Sequence, residues 1–258
     1  MMRKWLPLML CLACAVASGD RLIQTPKQYL IPRTTRPVKI DGKLDEWEMD
    51  KSVYVISATG GAMNPVYSND PTNPVKGEAD LSGRAALAWD ENYLYVAGRM
   101  VDDHLRGVKP DSLGNQGPPG WSCDSLMIAV ASFRQPMKTN SPYTPRPFLG
   151  LRYAPSGPQA RGKLVGNERT LNKRDLYWIL TRNSKWAVTE TKNGYQVEAA
   201  IPWADLEFTA RPGERLFLSF LAADVDPGEA LNQVGWGFTG VPKEEPLHRL
   251  SDGSDVMG

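Results

Sequence analysis

Histidine and cysteine are scarce in this chain of 258 residues, with two of the first and three of the second. A Ser-His-Asp arrangement would have to use His104 or His248, and no Gly-x-Ser-x-Gly elbow surrounds any serine, so nucleophilic hydrolysis has little to work with. Two of the cysteines, Cys11 and Cys14, fall in a start that reads as a secretory leader. Arg3 and Lys4 give the charged end, residues 5–17 the apolar stretch, and Ala15-Val16-Ala17 an A-x-A cleavage pattern. Cleavage after Ala17 would leave Cys123 alone, so no internal disulfide is expected in the exported chain. Cys123 has no base beside it in sequence and reads as a small buried hydrophobe. Neither leader cysteine suits a lipid anchor: Cys11 follows Leu10, not a small residue, and Cys14 has Cys11, not a leucine, three places before it.

Long apolar runs and charge excess are missing too. The leader is shorter than the roughly 20 residues that cross a bilayer, and no later segment is long and apolar enough. The expectation is a secreted or periplasmic chain with no membrane span. With 30 Lys and Arg against 29 Asp and Glu, the formal net charge is +1 and the basic residues form no stripe, which argues against nucleic acid as a partner. No amphipathic helix of three turns is legible, although residues 202–206 could make one turn with Pro202 at its first position.

What the chain does have is period-two alternation. In residues 194–202, Tyr195, Val197, Ala199 and Ile201 share one face while Gln196 and Glu198 take the other. Leu94, Val96, Gly98 and Met100 oppose Tyr93, Tyr95, Ala97 and Arg99 in the same way. Further strands are expected at 53–57, 85–89, 126–131, 148–153, 177–181, 187–191 and 216–222. Asp90-Glu91-Asn92 joins two of them, and Asn193-Gly194 is a hairpin turn because both residues tolerate positive φ. The pattern predicts an all-β fold: an immunoglobulin-like or jelly-roll-type β-sandwich of about ten antiparallel strands. Residues 60–82, 107–120 and 135–147 read as long loops rich in Gly, Pro, Asn and Asp. With no repeat and no linker, residues 36–258 form one domain, preceded by an extended lead-in at 18–35 and closed by a loosely held polar tail after His248.

Four stretches come in a telling order: VKIDGKLDEWEMDKSV at 38–53, ALAWDENYLYVAGRMVDDH at 86–104, WSCDSLMIAV at 121–130 and GYQVEAAIPWADL at 194–206. A fifth echo is LSFLAADVD at 218–226 with QVGW at 233–236. Together, over roughly residues 36–240, they resemble the family 9 carbohydrate-binding modules of secreted polysaccharide-degrading proteins. The resemblance implies a non-catalytic role in recognising an oligo- or polysaccharide, in partnership with a separate glycan-degrading enzyme. Paired carboxylates for glycoside hydrolysis are a spatial property, and no acidic pair stands out in sequence.

Sugar rings offer apolar faces and a rim of hydroxyls, which suits flat aromatic rings flanked by planar polar groups. Trp47, Trp89 and Trp203 lie in framework motifs and read as core. Trp121 follows a Gly/Pro-rich loop and precedes a strand. It corresponds to one of two family rings that clamp a chain end. The second ring is missing from GFTGVPKEEPLHRLSDG at 237–253, where Phe238 or His248 would have to substitute. Arg152 matches a family arginine that bonds sugar hydroxyls, and Met127 stands where the family often has Glu.

The family often holds structural calcium, and hard cations want clustered oxygens. Two acidic corners are candidates: Asp102 with Asp103, and Asp224 with Asp226 and Glu229. Asp124 is expected to order the start of its strand. Two other readings follow from related domains and from the missing ring. One is a haem-binding DOMON-type electron-transfer domain using Met100, His104 or Met127, although no CxxCH motif exists. The other is a binding-inactive envelope scaffold or adhesion module.

Overall fold

The computed structural model describes residues 28–36, 38–60, 64, 66–106, 124–132, 148–152, 163–166, 183–206, 209–228, 231–237 and 247–251. Among these residues the chain forms thirteen strands and one short 3-10 turn at Met49–Lys51. The strands are β1 (Gln28–Ile31), β2 (Tyr54–Ser57), β3 (Val66–Ser68), β4 (Leu81–Trp89), β5 (Tyr93–Asp102), β6 (Ser125–Ser132), β7 (Phe148–Arg152), β8 (Lys163–Gly166), β9 (Lys185–Thr191), β10 (Gly194–Pro202), β11 (Arg215–Val225), β12 (Leu231–Trp236) and β13 (Leu247–Leu250). They build two sheets. The smaller runs β2-β4-β5-β10-β9, and the larger runs β1-β13-β11-β6-β7-β8, with β12 on β11 and β3 on β12.

Both expected hairpins form. Asp90 Oδ1 accepts the backbone N–H groups of Asn92 and Tyr93 at 2.7 and 2.8 Å and so turns β4 into β5, while Gly194 (φ 140°) opens β10 after β9. Met100 O lies 2.1 Å from where a Cβ on Gly194 would stand, so only glycine fits there. The inward residues of β5 and β10 join Tyr54, Ile56, Leu87 and Trp89 of the small sheet to Leu126, Ile128, Leu218, Phe220 and Val234 of the large one in a single core. Gly98 marks the closest approach of the layers, since a Cβ there would meet Leu126 Cδ2 at 2.3 Å.

Several expectations change. The lead-in and the segment around His248 are not peripheral: β1 lies parallel to β13, with Tyr29 opposite His248, and β13 pairs antiparallel with residues 215–217 of β11. The fold is therefore not wholly antiparallel, and it draws on residues before 36. Residues 60–82 include β3, which pairs with β12. The strand expected at 177–181 lies outside the described residues, as do residues 1–27.

Part of the outer face of the small sheet is also buried. Leu44, Trp47 and Met49, from the segment ahead of β2, pack on Ala88, Tyr95, Ala97 and Ala200 as a second apolar layer. Glu198 points into this layer. Alternation assigned it to the polar face, yet it is 0 % exposed. Its carboxylate accepts Trp47 Nε1–H at 2.9 Å, Gly42 N–H at 2.8 Å and Asp41 N–H at 3.0 Å. The Ile-Asp-Gly turn and the Glu of GYQVEAAI, 156 residues apart, are thus two halves of one contact.

Candidate functional site

Strand ends from both sheets meet at one end of the sandwich. The β4–β5 register pairs Leu81 with Asp102, so Asp80 falls opposite Asp103 just beyond it. The β6–β11 register pairs Ser125 with Ala223, which sets Asp124 against Asp224. Ser125 also pairs with Arg152 at the end of β7. Six aspartates therefore converge as two groups, Asp102, Asp124 and Asp224 in one and Asp80, Asp103 and Asp226 in the other, each with carboxylate oxygens within 4.8 Å of one another.

Asp102 and Asp103 of one corner read from the sequence thus meet Asp224 and Asp226 of the other, although 122 residues separate Asp102 from Asp224. Asp103 is exposed, whereas the other five are buried. Some of their oxygens have partners: Asp102 Oδ1 accepts His104 N–H at 2.8 Å, Asp80 Oδ2 accepts Lys76 N–H at 2.6 Å, and Asp226 Oδ2 accepts Asn73 Nδ2–H at 3.1 Å with Lys76 Nζ at 3.8 Å. Asp124 accepts the backbone N–H groups of Arg106 and Val225, which fixes the start of β6 as expected and also places it in the cluster. Asp80 Oδ1, Asp102 Oδ2 and Asp224 Oδ2 are buried with no hydrogen-bond partner.

Burial first, and then the charges of the neighbouring aspartates, push the Asp102 carboxyl up to about 6, Asp124 to about 9 and Asp224 to about 8. Packing carboxyls this way costs stability unless protons or a cation neutralise them. An all-oxygen donor set with three unpartnered buried oxygens fits a hard cation of the calcium type. Asp80, which the sequence reading passed over, was available from the β4–β5 hairpin, because the turn at Asp90 fixes which residues face each other. The facing of Asp124 and Asp224 was not available, since nothing local joins β6 to β11.

The other candidates divide. Arg152 is brought to the acidic end by the β7 register; nothing is described of its side chain. Trp121, Phe238 and Glu229 lie outside the described residues. His248 must be corrected. It is 0 % exposed, stacked on Tyr29 and Tyr54 at ring-centroid distances of 5.4 and 5.6 Å, with Trp236 at 6.0 Å. Its partner Leu216 lies eight residues along β11 from Asp224, roughly 27 Å at about 3.4 Å per residue. A buried ring at that distance is core, and it cannot serve as a surface clamp. Met100 belongs to the inter-sheet core, Met127 packs on the opposite face of the larger sheet with Leu221 and Ala223, and His104 is exposed past the end of β5, so the three share no pocket. At the far end of the small sheet, a cleft of about 770 Å³ is lined by Asn92, Tyr93, Asn183 and Trp203. Trp203 is 3 % exposed and donates Nε1–H to Asp90 O, as a framework residue should.

The profile of the carbohydrate family 9 binding domain-like family matches residues 40–237, from the Ile-Asp-Gly turn to the end of β12. The chain belongs to this family. Its fold is that of a family 9 carbohydrate-binding module from Caldicellulosiruptor kristjanssonii, solved with cellotriose (16 % identity, TM-score 0.54, covering 89 % of this chain and 96 % of that one) and with glucose (17 %, 0.56, 89 % and 98 %). Comparison with curated proteins gives no match. Among the described residues, no helix is long and apolar enough to cross a membrane.

Proposed function

We propose that this family 9 chain is a non-catalytic carbohydrate-binding module that works outside the cytoplasm, with its glycan site at the acidic end of the sandwich. The observation that carries this reading is convergence. The β6 and β7 registers bring Arg152 to the end of the sandwich where the aspartates cluster, and Trp121 stands three positions before Asp124 in the sequence. The cellotriose and glucose held by the solved relatives support a neutral glucan as the first ligand to try. In this reading Trp121 stacks on a sugar face and Arg152 bonds hydroxyls. Phe238 supplies the second ring, because His248 is buried in the core.

Asp102, Asp124 and Asp224, with Asp80, Asp103 and Asp226 beside them, would hold calcium. Bound there, the ion would supply the positive charge that neutralises these carboxylates and would hold the strand ends together. The leader-like start supports export, and a separate glycan-degrading enzyme is the partner that this reading implies. Cellotriose titration followed by intrinsic Trp fluorescence, with calcium and with a chelator, tests the reading. A saturable shift is expected, lost in Trp121→Ala while the melting temperature holds. No shift with cellotriose or other neutral oligosaccharides in either condition would overturn it.

A further inference from the structure

The covering segment leaves part of the outer face of the small sheet open. Register places Val55, Arg84, Arg99, Gln196 and Thr189 in one row across all five strands, β2-β4-β5-β10-β9. Four inter-strand spacings make this row roughly 19 Å long. The segment ahead of β2 walls one side of it. Gly42 abuts Thr189, whose Oγ1 lies 2.4 Å from where a Cβ on Gly42 would stand, and the Met49–Lys51 turn reaches the two arginines. Arg84 Nη1 donates to Ser52 O at 3.1 Å and to Asp50 O at 3.4 Å, while Arg99 Nη1 meets Asp50 Oδ1 at 3.2 Å.

Like charges directly opposite on neighbouring strands repel. Here only Arg99 meets a carboxylate, that of Asp50, while Arg84 donates to backbone carbonyls, and the Asp50 side chain is 92 % exposed, so it offsets little of that repulsion. The arrangement gains from a further anion. Guanidinium groups pair well with carboxylates because their N–H forks match the two carboxylate oxygens. Beyond the arginines, the row offers the amide of Gln196 and the hydroxyl of exposed Thr189 on one side and the apolar Val55 on the other. β4, β5 and β10 are interior strands, so their backbone groups are already paired and an added peptide strand has no edge to join here. Recognition at this row must run through side chains that suit hydroxyls and carboxylates.

We propose that this row is a second glycan-contact surface, one that takes the carboxylated sugars of a uronic-acid polymer laid across the strands. The proposal rests on the carbohydrate-binding reading, but it uses the outer face of the small sheet, away from β6 of the larger sheet, and none of the clustered aspartates. Binding there weakens as salt rises, because the pairs are exposed.

Calorimetric titration of the full chain with short oligogalacturonate, with its methyl ester, and with cellotriose tests it. Oligogalacturonate is expected to bind and its ester not. Arg84→Gln and Arg99→Gln should each weaken binding at least about tenfold, the loss expected for a charge-assisted hydrogen bond. Cellotriose binding and the melting temperature of Arg99→Gln should be unchanged, which separates a lost contact from a lost fold. Several results would overturn the proposal: equal binding of the ester, full affinity in both variants, or displacement by polyglutamate or dextran sulfate as readily as by oligogalacturonate. Cellotriose bound without oligogalacturonate defeats this inference and leaves the first reading standing. Binding of neither defeats both.

Discussion

Two buried carboxylate sites in this molecule solve the same problem in opposite ways. Glu198 is surrounded by donors of its own chain, and both of its oxygens are occupied by Trp47, Gly42 and Asp41. The aspartates at the sandwich end meet mainly one another, and three of their buried oxygens have no partner. The first arrangement is self-sufficient and works as a rivet between chain segments. The second is incomplete without a cation or protons. A buried acid is a sign of function when the chain does not supply its donors, and a sign of architecture when it does.

The sharpest way to break this contrast is Glu198→Ala, which strands two buried donors and a half-buried one. A loss of about 3–5 kcal/mol is expected in chemical denaturation, with Glu198→Gln intermediate because its amide oxygen still accepts. The same operation at the other site should have the opposite sign. In chelator at pH 8, Asp102→Asn with Asp224→Asn is expected to raise stability by about 1–2 kcal/mol, while abolishing the rise in melting temperature that calcium gives the unaltered chain. A gain on both counts would show that calcium does not bind there.

The sign of the pH effect sharpens the comparison further. Folded pKa values near 6, 8 and 9 stand above the ordinary aspartate value of 3.8, so the folded state holds more protons than the unfolded one between those limits. Stability in chelator is therefore expected to be fullest below about pH 4 as far as these groups are concerned, and to fall as pH rises through 6 to 9. Calcium should flatten or reverse that fall, which melting curves across the range would show. The smallest effect belongs to Gly42→Ala beside Glu198. Its φ of 81° and the contact with Thr189 Oγ1 should cost about 1–2 kcal/mol.

Much of the sandwich was legible because its strands alternate and its hairpins carry local turn chemistry. β5 and β10 appear where Tyr93, Leu94, Tyr195 and Val197 put them, and the Asp90 and Asn193 turns pair them with β4 and β9 respectively, as the sequence implies. Pairing between distant segments was not legible. Nothing local in residues 28–31 or 247–250 announces that they lie side by side, and His248 looks like a loop residue until β1 and β11 bury it. Glu198 was misplaced for a related reason, since alternation gives the opposite face of a strand without saying whether another segment covers it. The acidic corners were each visible, but their union depends on β6 and β11 being neighbours.

That distant pairing also bears on how the chain is made. β13 sits between β1 and β11, so the first strand has no place in the sheet until the last one arrives. During synthesis the larger sheet cannot close before residue 250 is clear of the ribosome, and contacts of such sequence separation form slowly. A protein assembled in this order keeps β1 unpaired while it is being translated, until β13 arrives to hold it.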